Sequence, residues 1–228
     1  KVEKASQQWR DRLYKAFGYT YEEVKDAILP MARDGLEPTS AMGVDTPLAV
    51  LSEKPQPLFS YFKQLFAQVT NPPMDAIREE IVTDTTVYVG SGGNLLEEQA
   101  ENCTVLQIHN PILTSLDLMK IRYMNRPGFQ VESISLLYYK GSPLENALDR
   151  LFVNVDRAYK NGANILILSD RGVDENHVAI PSLLAVSALE QYLVRTKKRT
   201  AVSMILESAE FTPAELNVLN GLDHPLQV

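Results

Sequence analysis

Two short segments of the sequence are almost entirely apolar, and they limit the fold of the whole chain. Residues 164–169 read Asn-Ile-Leu-Ile-Leu-Ser, and residues 200–206 read Thr-Ala-Val-Ser-Met-Ile-Leu. A strand with apolar side chains on both faces is typical of a parallel sheet that is covered by helices on both sides. The sequence therefore predicts an α/β fold for the second half of the chain.

Strand-like and helix-like segments alternate around these two strands. The spacing of this alternation is typical of parallel βα units with right-handed crossovers, and it resembles a partial or degraded (β/α) barrel. Ser142 is expected to cap the second of the helices, with Pro143 at its first position. The predicted strands are 104–109, 129–138, 164–169 and 200–206, and the predicted helices are 114–121, 142–160 and 181–194.

The first hundred residues show a different pattern, one of helices and loops. Trp9, Leu13 and Phe17 recur at helical spacing, and Thr20 with Glu23 forms the capping box of a second helix. We therefore divide the chain into a helical and loop part, 1–100, and a βα-repeat part, 101–210. Residues 211–228 are expected to form a C-terminal tail with a small helix and a polar end.

A proline-containing corner interrupts the helical part. An apolar helical segment at 58–68 is followed by Asn-Pro-Pro at 71–73, and a second, charged helix then begins. The two prolines fix two φ angles, and the first of them excludes the helical region for Asn71. Thr70 and Asn71 thus place a hydroxyl and an amide at a stiff corner. Such a corner suits either a rigid turn between helices or a polar wall that positions a small molecule.

A second loop is a candidate functional segment of the same part. Residues 35–48 are rich in Gly, Pro, Ser and Thr, and they include Met42, Asp45 and Thr46. A loop of this length with short polar side chains is typical of binding loops, although a plain surface crossing has the same composition.

The strongest candidates for chemistry follow the strand at 164–169. Asp170, Asp174, Glu175 and His177 lie where α/β proteins collect their functional residues, after the carboxyl end of a strand. Their carboxylates and imidazole are able to bind a divalent metal, although the spacing matches no compact metal motif. A stand-alone α/β enzyme with a metal site at Asp170, Asp174 and His177 is therefore the alternative hypothesis. A third hypothesis is a structural interaction module, which an exposed apolar docking face would support.

Two further features carry less chemistry. The glycine-rich segment 90–93 lacks the lysine of a phosphate-binding loop, and the acidic Glu97 and Glu98 that follow would repel phosphate, so a turn is favoured. Cys103 is the single cysteine, so an internal disulfide is excluded and a reducing, cytoplasmic compartment is favoured. Its side chain is expected to be a small buried group. His109 is expected to end a strand.

Charge and length restrict the classes of partner. The formal net charge of −7 disfavours a nucleic-acid partner and a cationic membrane-binding face. No apolar run in the sequence is long enough to span a bilayer. The sequence begins with Lys1 rather than methionine, and we expect it to be a piece of a longer chain.

Several ordered motifs resemble one known family, the central domain of glutamate synthase large subunits. The likeness runs from about Trp9 to about Glu210, and no single motif carries it alone. It departs from the family pattern after Glu210. The motifs are AMGVDTPLAVLS (41–52), the segment 61–80 with FAQVTNPPMDAIREE, 93–96, 111–114, ILSDRG (167–172) and the segment 179–186 with IPSLLAV.

The resemblance implies a connecting role without catalysis. Enzymes of this family take ammonia from glutamine in an amidotransferase domain and pass it through an internal tunnel to an FMN-bearing barrel. There 2-oxoglutarate is aminated and reduced to L-glutamate. The resemblance implies that the FMN and iron–sulfur sites lie in other domains, that Cys103 matches no cluster ligand, and that the electron donor is NADPH, NADH or ferredoxin, with a small subunit in some members. It makes Thr70, Asn71, Met42, Asp45 and Thr46 candidates for the tunnel wall.

Overall fold

The computed structural model of the chain describes residues 6–36, 38, 49–53, 57–62 and 73–210. These residues fall into two compact units: the first contains the described residues up to Pro73 together with Ala209 and Glu210, and the second spans Met74–Ser208. No helix within the described ranges has the length and apolar character needed to cross a bilayer.

The first unit contains two helices in the described part of the chain. Helix α1 is Gln7–Ala16, and the amide of Trp9 donates to the hydroxyl of its N-cap, Ser6. A second helical stretch runs through a π-helical segment, Glu23–Ile28, into α2, Leu29–Asp34, and Gly35 ends it with a positive φ. The predicted capping box of Thr20 and Glu23 is confirmed by two reciprocal hydrogen bonds of 2.7 and 3.2 Å. Of the predicted helix at 58–68, the structure describes a 3-10 turn, Leu58–Phe62.

The second unit is built on a parallel sheet in the order β3 (Val131–Ser135), β5 (Ile165–Ser169), β7 (Ser203–Glu207). Two antiparallel pairs accompany it, β1 (Val87–Gly90) with β2 (Val105–Ile108) and β4 (Leu137–Tyr139) with β6 (His177–Ala179). The α-helices described in this unit are α3 (Ala76–Val82), α4 (Ser115–Arg122), α5 (Leu144–Lys160) and α6 (Ser182–Arg195).

The central strand β5 is buried on both faces, as its apolar sequence predicts. Ile165 and Ile167 belong to a cluster with Leu118 and Ile121 of α4 and with Val89 of β1. The alternate residues of β5 are equally buried and point to the opposite face. Helices α5 and α6 pack against each other and present buried side chains every three or four residues, so the sheet has an apolar layer on each side.

Some sequence predictions are corrected by the way the strands pair. The predicted strand at 104–109 is present as β2, but it pairs antiparallel with β1 instead of joining the parallel sheet. The predicted strand at 129–138 divides at Leu136, whose amide donates to the carbonyl of Ser169 and whose carbonyl accepts from the amide of Ile180. The chain thus leaves one sheet and enters another at this residue. Within the described residues the parallel strands form an open sheet and no closed barrel.

Two predicted element boundaries also differ. Pro143 has the extended backbone of the N-cap of α5, and no side chain caps this helix. Ser142, the predicted N-cap, therefore precedes the observed N-cap by one residue. Its amide donates to the Tyr139 carbonyl in a turn. The last strand begins at Ser203, because a 3-10 turn, Arg199–Ala201, takes up the residues before it.

Candidate functional site

The corner and the loop that the sequence analysis singled out lie outside the described residues. This applies to all five candidates for the tunnel wall: Thr70, Asn71, Met42, Asp45 and Thr46. The residues directly after the corner are described. Asp75 has an extended backbone, and its carboxylate accepts hydrogen bonds from the amides of Ile77 and Arg78 at 3.1 and 2.9 Å, so a new helix does begin there.

A cluster of polar side chains lies at the carboxyl ends of β5 and β7. The hydroxyl of Ser169 donates to Glu207 at 2.6 Å, and the guanidinium of Arg171 donates to the other oxygen of Glu207 at 2.5 Å. The hydroxyl of Ser208 donates to Asp170 at 2.5 Å, and Asp170 is only 5% exposed. We call these five residues, together with Arg122, the polar edge.

Arg122 connects the polar edge to helix α4. Its guanidinium donates to the Glu207 carboxylate at 2.7 Å, so the side chain of Glu207 lies between two arginines. Burial alone would raise the pKa of Glu207, but the hydrogen bonds from Ser169, Arg171 and Arg122 outweigh that effect and bring its pKa below the ordinary value. An ionised carboxylate that is satisfied in this way connects secondary-structure elements and is poorly placed to accept a proton.

Asp174 and His177 form a separate, exposed pair. The Asp174 carboxylate accepts hydrogen bonds from the amides of Asn176 and His177 at 2.8 and 2.7 Å and contacts the His177 ring nitrogen at 3.0 Å. The pKa of Asp174 is lowered first by the amide of Asn176 and then by the His177 side chain and amide. This arrangement shapes the turn that leads into β6.

The structure does not support the metal-site hypothesis. Asp170 is buried against Ser208, whereas Asp174 and His177 are exposed and paired with each other. Among the residues that the structure describes, no three His, Cys, Asp or Glu side chains form a group that could hold a metal ion. The polar residues after β5 therefore act as partners of neighbouring strands and turns.

The glycine-rich segment after β1 also uses its amides within the chain. The amide of Gly90 donates to the hydroxyl of Ser203 at 3.0 Å, and the amide of Gly92 donates to the carbonyl of Thr200 at 2.8 Å. Amides that are bonded in this way are not free to cradle a phosphate. Gly90 is the last residue of β1, and residues 91–93 form no regular element.

Two single residues complete the set of sequence candidates. His109 directly follows β2, and its carbonyl accepts a hydrogen bond from the Thr85 hydroxyl at 2.7 Å, as expected for the end of a strand. The prediction for Cys103 is wrong, because its side chain is exposed. It lies at the end of a short 3-10 turn, Ala100–Cys103, which holds it outside the core.

Sequence reasoning missed a network that ties α5 to α6. Asp156 accepts hydrogen bonds from Lys198 at 2.6 Å and from Tyr192 at 2.9 Å, and the Lys198 ammonium lies 5.6 Å from the centre of the Tyr159 ring. Burial raises the pKa of Asp156, but the hydrogen bonds from Lys198 and Tyr192 prevail and lower it. The periodicity of α5 marks its apolar face only and gives no signal for this polar contact.

It also missed a cleft of about 700 Å³ between β2 and α4. Leu106 and Ile108 of β2, Ile121 of α4 and the following Met124 give the cleft an apolar lining. Charged and amide side chains accompany them. The polar lining residues are Gln107, His109, Asn110, Asp117, Lys120, Asn125 and Arg126. A cavity of this size with mixed lining is able to accept a side chain or a small ligand.

Comparison with known proteins assigns the chain to a family. Residues 12–221 match the family model described as the glutamate synthase central domain. The chain is 44% identical over 196 residues to the glutamate synthase [NADPH] large chain of Bacillus subtilis. These aligned residues cover 86% of this chain and 13% of the Bacillus subtilis protein. It is 43% identical to ferredoxin-dependent glutamate synthase 2 of Synechocystis, again with 13% of that protein covered. It is 40% identical to glutamate synthase [NADH] of Saccharomyces cerevisiae, of which it covers 9%.

These three matches agree in extent, because each covers 86% of this chain. Each relative is several times longer than the segment that it shares with this sequence. The matched range begins within α1, includes the whole parallel sheet and extends to residue 221, past Glu210, where the resemblance was expected to end. The chain belongs to the glutamate synthase central domain family.

Proposed function

We propose that this chain is the connecting domain of a longer glutamate synthase polypeptide that makes L-glutamate from glutamine and 2-oxoglutarate. The observation that carries the proposal is the match of 12–221 to the central domain, in relatives of which the chain covers only 9–13%. In this proposal the domain comprises residues 1–210. It links a glutamine amidotransferase domain to an FMN-binding domain in the cytoplasm, and it has no catalytic residues of its own.

The cofactors of the proposed enzyme belong to the other domains. An iron–sulfur cluster requires several thiolate ligands, and this sequence contains one cysteine. In the glycine-rich segment, the amides of Gly90 and Gly92 are bonded to Ser203 and Thr200 and are not free to hold the phosphate of FMN. The isolated chain is accordingly expected to show no glutamate synthase activity.

The electron donor is expected to be contacted elsewhere in the polypeptide. The names of the relatives specify NADPH, ferredoxin and NADH, yet their identities to this chain are similar, at 44%, 43% and 40%. A domain that selected the donor would be expected to differ more between these groups. We therefore place the contact with ferredoxin or with a small electron-donor subunit outside this domain.

The proline-containing corner is the part that we assign to the ammonia route. Ammonia is small, neutral and polar, so a tunnel for it needs hydrogen-bonding groups on a rigid wall. Thr70 and Asn71 provide a hydroxyl and an amide next to two prolines, and Met42, Asp45 and Thr46 provide a second short polar segment. The support for this assignment is the sequence, because these residues lie outside the described ranges.

Replacement of Thr70 by valine in the full-length enzyme tests the ammonia route. Valine keeps the β-branched shape and removes the hydroxyl, so ammonia should escape more often before it reaches the synthase site. We expect more glutamine to be hydrolysed per molecule of 2-oxoglutarate that is converted to glutamate. The measurement is the ratio of the two rates in a steady-state assay.

Thr83→Val is the matched control for this test. The Thr83 hydroxyl donates to the Glu79 carbonyl at the exposed end of α3, and Thr83 is not one of the candidate tunnel residues. This variant should keep the ratio of the wild-type enzyme. An unchanged ratio in Thr70→Val would remove Thr70 from the ammonia route, and glutamate synthase activity of the isolated chain would contradict the connecting role.

A further inference from the structure

The cleft between β2 and α4 is lined by the edge of a strand. Leu106, Gln107 and Ile108 are consecutive residues of β2, and all three line the cleft. Successive side chains of a strand point to opposite faces, so one cavity contacts three residues in a row only along the edge, where the backbone lies. Within the described residues β2 pairs with β1 alone, and its other edge is free. The cleft therefore offers backbone hydrogen-bonding groups.

The hydrogen bonds of Gly90 indicate which backbone groups of β2 face the cleft. Its amide and its carbonyl both bond to the Ser203 hydroxyl, so they point away from its partner on β2, Val105. Opposite residues of an antiparallel ladder alternate between hydrogen-bonded and non-hydrogen-bonded pairs. Two residues further along β2, the amide and carbonyl of Gln107 therefore also point away from β1, and neither has another backbone partner in the described part of the chain. Gln107 thus presents one donor and one acceptor to an incoming strand.

Helix α4 forms the opposite wall of the cleft. Asp117, Lys120 and Ile121 recur at i, i+3 and i+4, so one face of the helix lines the cavity. The helix has eight residues and is about 12 Å long, which matches about four residues of extended chain. Leu106 and Ile108 pack against the core and give the cleft an apolar floor. The cleft therefore has the shape of a groove for one short strand.

The cleft carries an excess of positive charge, although the chain has a net charge of −7. Asp117 is its one acidic lining residue, and Lys120 is bonded to that carboxylate at 2.9 Å. Arg126 also lines the cleft, and its guanidinium forms no ion pair with any described residue. The Arg126 carbonyl accepts from the Phe129 amide at 3.2 Å, in the turn that follows α4. An unpaired guanidinium beside an apolar floor favours a ligand that carries a carboxylate.

We propose that the cleft between β2 and α4 binds the C-terminal end of a partner polypeptide as an added strand beside β2. The backbone of the partner pairs with Gln107, its terminal carboxylate bonds to Arg126, and the side chain of its last residue lies on the apolar floor. Addition of a strand to a free sheet edge is a known mode of peptide recognition, in which backbone bonds give affinity and pockets for alternate side chains give specificity. This binding goes beyond the connecting role, which requires no free chain end.

The pleat of the added strand defines a small probe, N-acetyl-L-alanyl-L-leucine. The residue opposite Gln107 directs its side chain to the same face as Gln107, which is exposed, so alanine is sufficient there. The next side chain points to the opposite face, where Leu106 and Ile108 lie, so leucine is placed at this position. The free carboxylate of the leucine then provides the negative charge for Arg126.

Two-dimensional ¹H–¹⁵N NMR of the 228-residue chain measures binding of this probe. The amide signals of Gln107 and Ile108 should shift as the probe is added. Two analogues isolate the proposed contacts: the C-terminal amide lacks the negative charge, and the N-methylalanine analogue lacks the N–H that donates to the Gln107 carbonyl. We expect each analogue to bind at least about tenfold more weakly than the probe.

Arg126→Gln tests the carboxylate contact from the side of the protein, with Arg150→Gln as its control. Arg150 is exposed on α5 and does not line the cleft. Arg126→Gln should weaken binding of the probe at least about tenfold and leave binding of the C-terminal amide unchanged. Arg150→Gln should change neither. If circular dichroism shows that Arg126→Gln is unfolded, the comparison of the probe with its two analogues on the wild type decides the question.

Three outcomes would overturn the proposal. Equal affinity for the probe and its C-terminal amide would mean that the cleft does not recognise a chain end. Shifts confined to residues outside the cleft would place the binding elsewhere, and the absence of any shift up to about 10 mM probe would exclude binding by a ligand of this size. None of these readouts involves the ratio of glutamine hydrolysed to glutamate formed, so the proposed function is tested separately.

Discussion

Glu207 of β7 is the residue on which two other stretches of the second unit converge. Its carboxylate accepts hydrogen bonds from Ser169 at the end of β5, from Arg171 beyond it and from Arg122 at the end of α4. Arg122 is separated from Glu207 by 85 residues, so this side chain closes a long loop of the chain. Loss of its charge should therefore affect the fold and not only the local surface.

Glu207→Gln is expected to lower the free energy of unfolding of the chain by about 2 kcal/mol at pH 7, because hydrogen bonds to a charged group contribute roughly 1.5–3 kcal/mol. Urea unfolding monitored by circular dichroism measures the change. Glu132→Gln, at an exposed position of β3, is the control and should shift the free energy by less than about 0.5 kcal/mol. Equal effects of the two substitutions would deny Glu207 this role.

The lowered pKa of Glu207 determines how the stability difference between the wild type and Glu207→Gln depends on pH. The ordinary pKa of a glutamate is 4.5, and the folded-state pKa of Glu207 lies below it. The ionised side chain therefore stabilises the fold above pH 4.5, and this contribution is lost as the pH falls through the folded-state pKa. The difference in stability between the wild type and Glu207→Gln should shrink on acidification. A difference that stays constant from pH 7 to pH 3 would contradict the lowered pKa.

Single residues also show where sequence reasoning reached its limit. The buried side chains of β5 were predicted, since an apolar run needs no knowledge of its neighbours. The pairing of Glu207 with Arg122 was not predicted, because it joins residues that only the tertiary fold brings together. Cys103 was predicted to be buried and is exposed, since a 3-10 turn holds it outside the core.

At the scale of elements, α4 depends on its N-cap because it is only eight residues long. Thr114→Ala removes the hydroxyl that accepts from the Asp117 amide, and such changes cost about 1 kcal/mol. We expect this loss in the unfolding free energy and faster amide hydrogen exchange in the first turn of α4. Thr114→Ser keeps the hydroxyl and should retain most of the stability. If the serine variant loses as much as the alanine variant, the capping bond contributes little.

The elements were predicted best where local sequence determines them. Helices α5 and α6 follow from their periodicity, and α3 follows from the charged segment after the Pro-Pro pair. The pairing of strands was predicted less well, because β2 looks like its neighbours in sequence yet pairs antiparallel with β1. The cleft between β2 and α4 was missed for the same reason: its two walls are independent elements until the fold places them side by side.

At the scale of the whole molecule, the two compact units differ in how much they bury. No side chain of the described helices of the first unit, α1 and the stretch that ends in α2, is fully buried. The second unit contains β5, with four consecutive residues that are completely inaccessible to solvent. Apolar burial is the main source of stability, so the second unit should be the more stable of the two.

Trp9, the only tryptophan, allows this difference to be measured. It lies on α1, so its fluorescence reports on the first unit, whereas circular dichroism is dominated by the long helices α5 and α6. In urea the fluorescence midpoint is expected at a lower concentration than the circular dichroism midpoint. Trp9→Phe should abolish the tryptophan fluorescence transition and leave the circular dichroism transition unchanged. Coincident midpoints would mean that the two units unfold as one.

The bond between Gly90 and Ser203 has a consequence for the solution behaviour of the protein. The Ser203 hydroxyl accepts from the amide of Gly90 at 3.0 Å and donates to its carbonyl at 2.9 Å, so one side chain replaces the two backbone bonds of a strand pair. The first residue of β7 therefore contacts the last residue of β1, without a full ladder of backbone hydrogen bonds between the two strands. An unpaired border of a sheet invites strands from other molecules. Among the described residues, the Ser203 hydroxyl and Gly90 occupy the beginning of that border, so an incoming strand would have to break these two bonds to pair with it there.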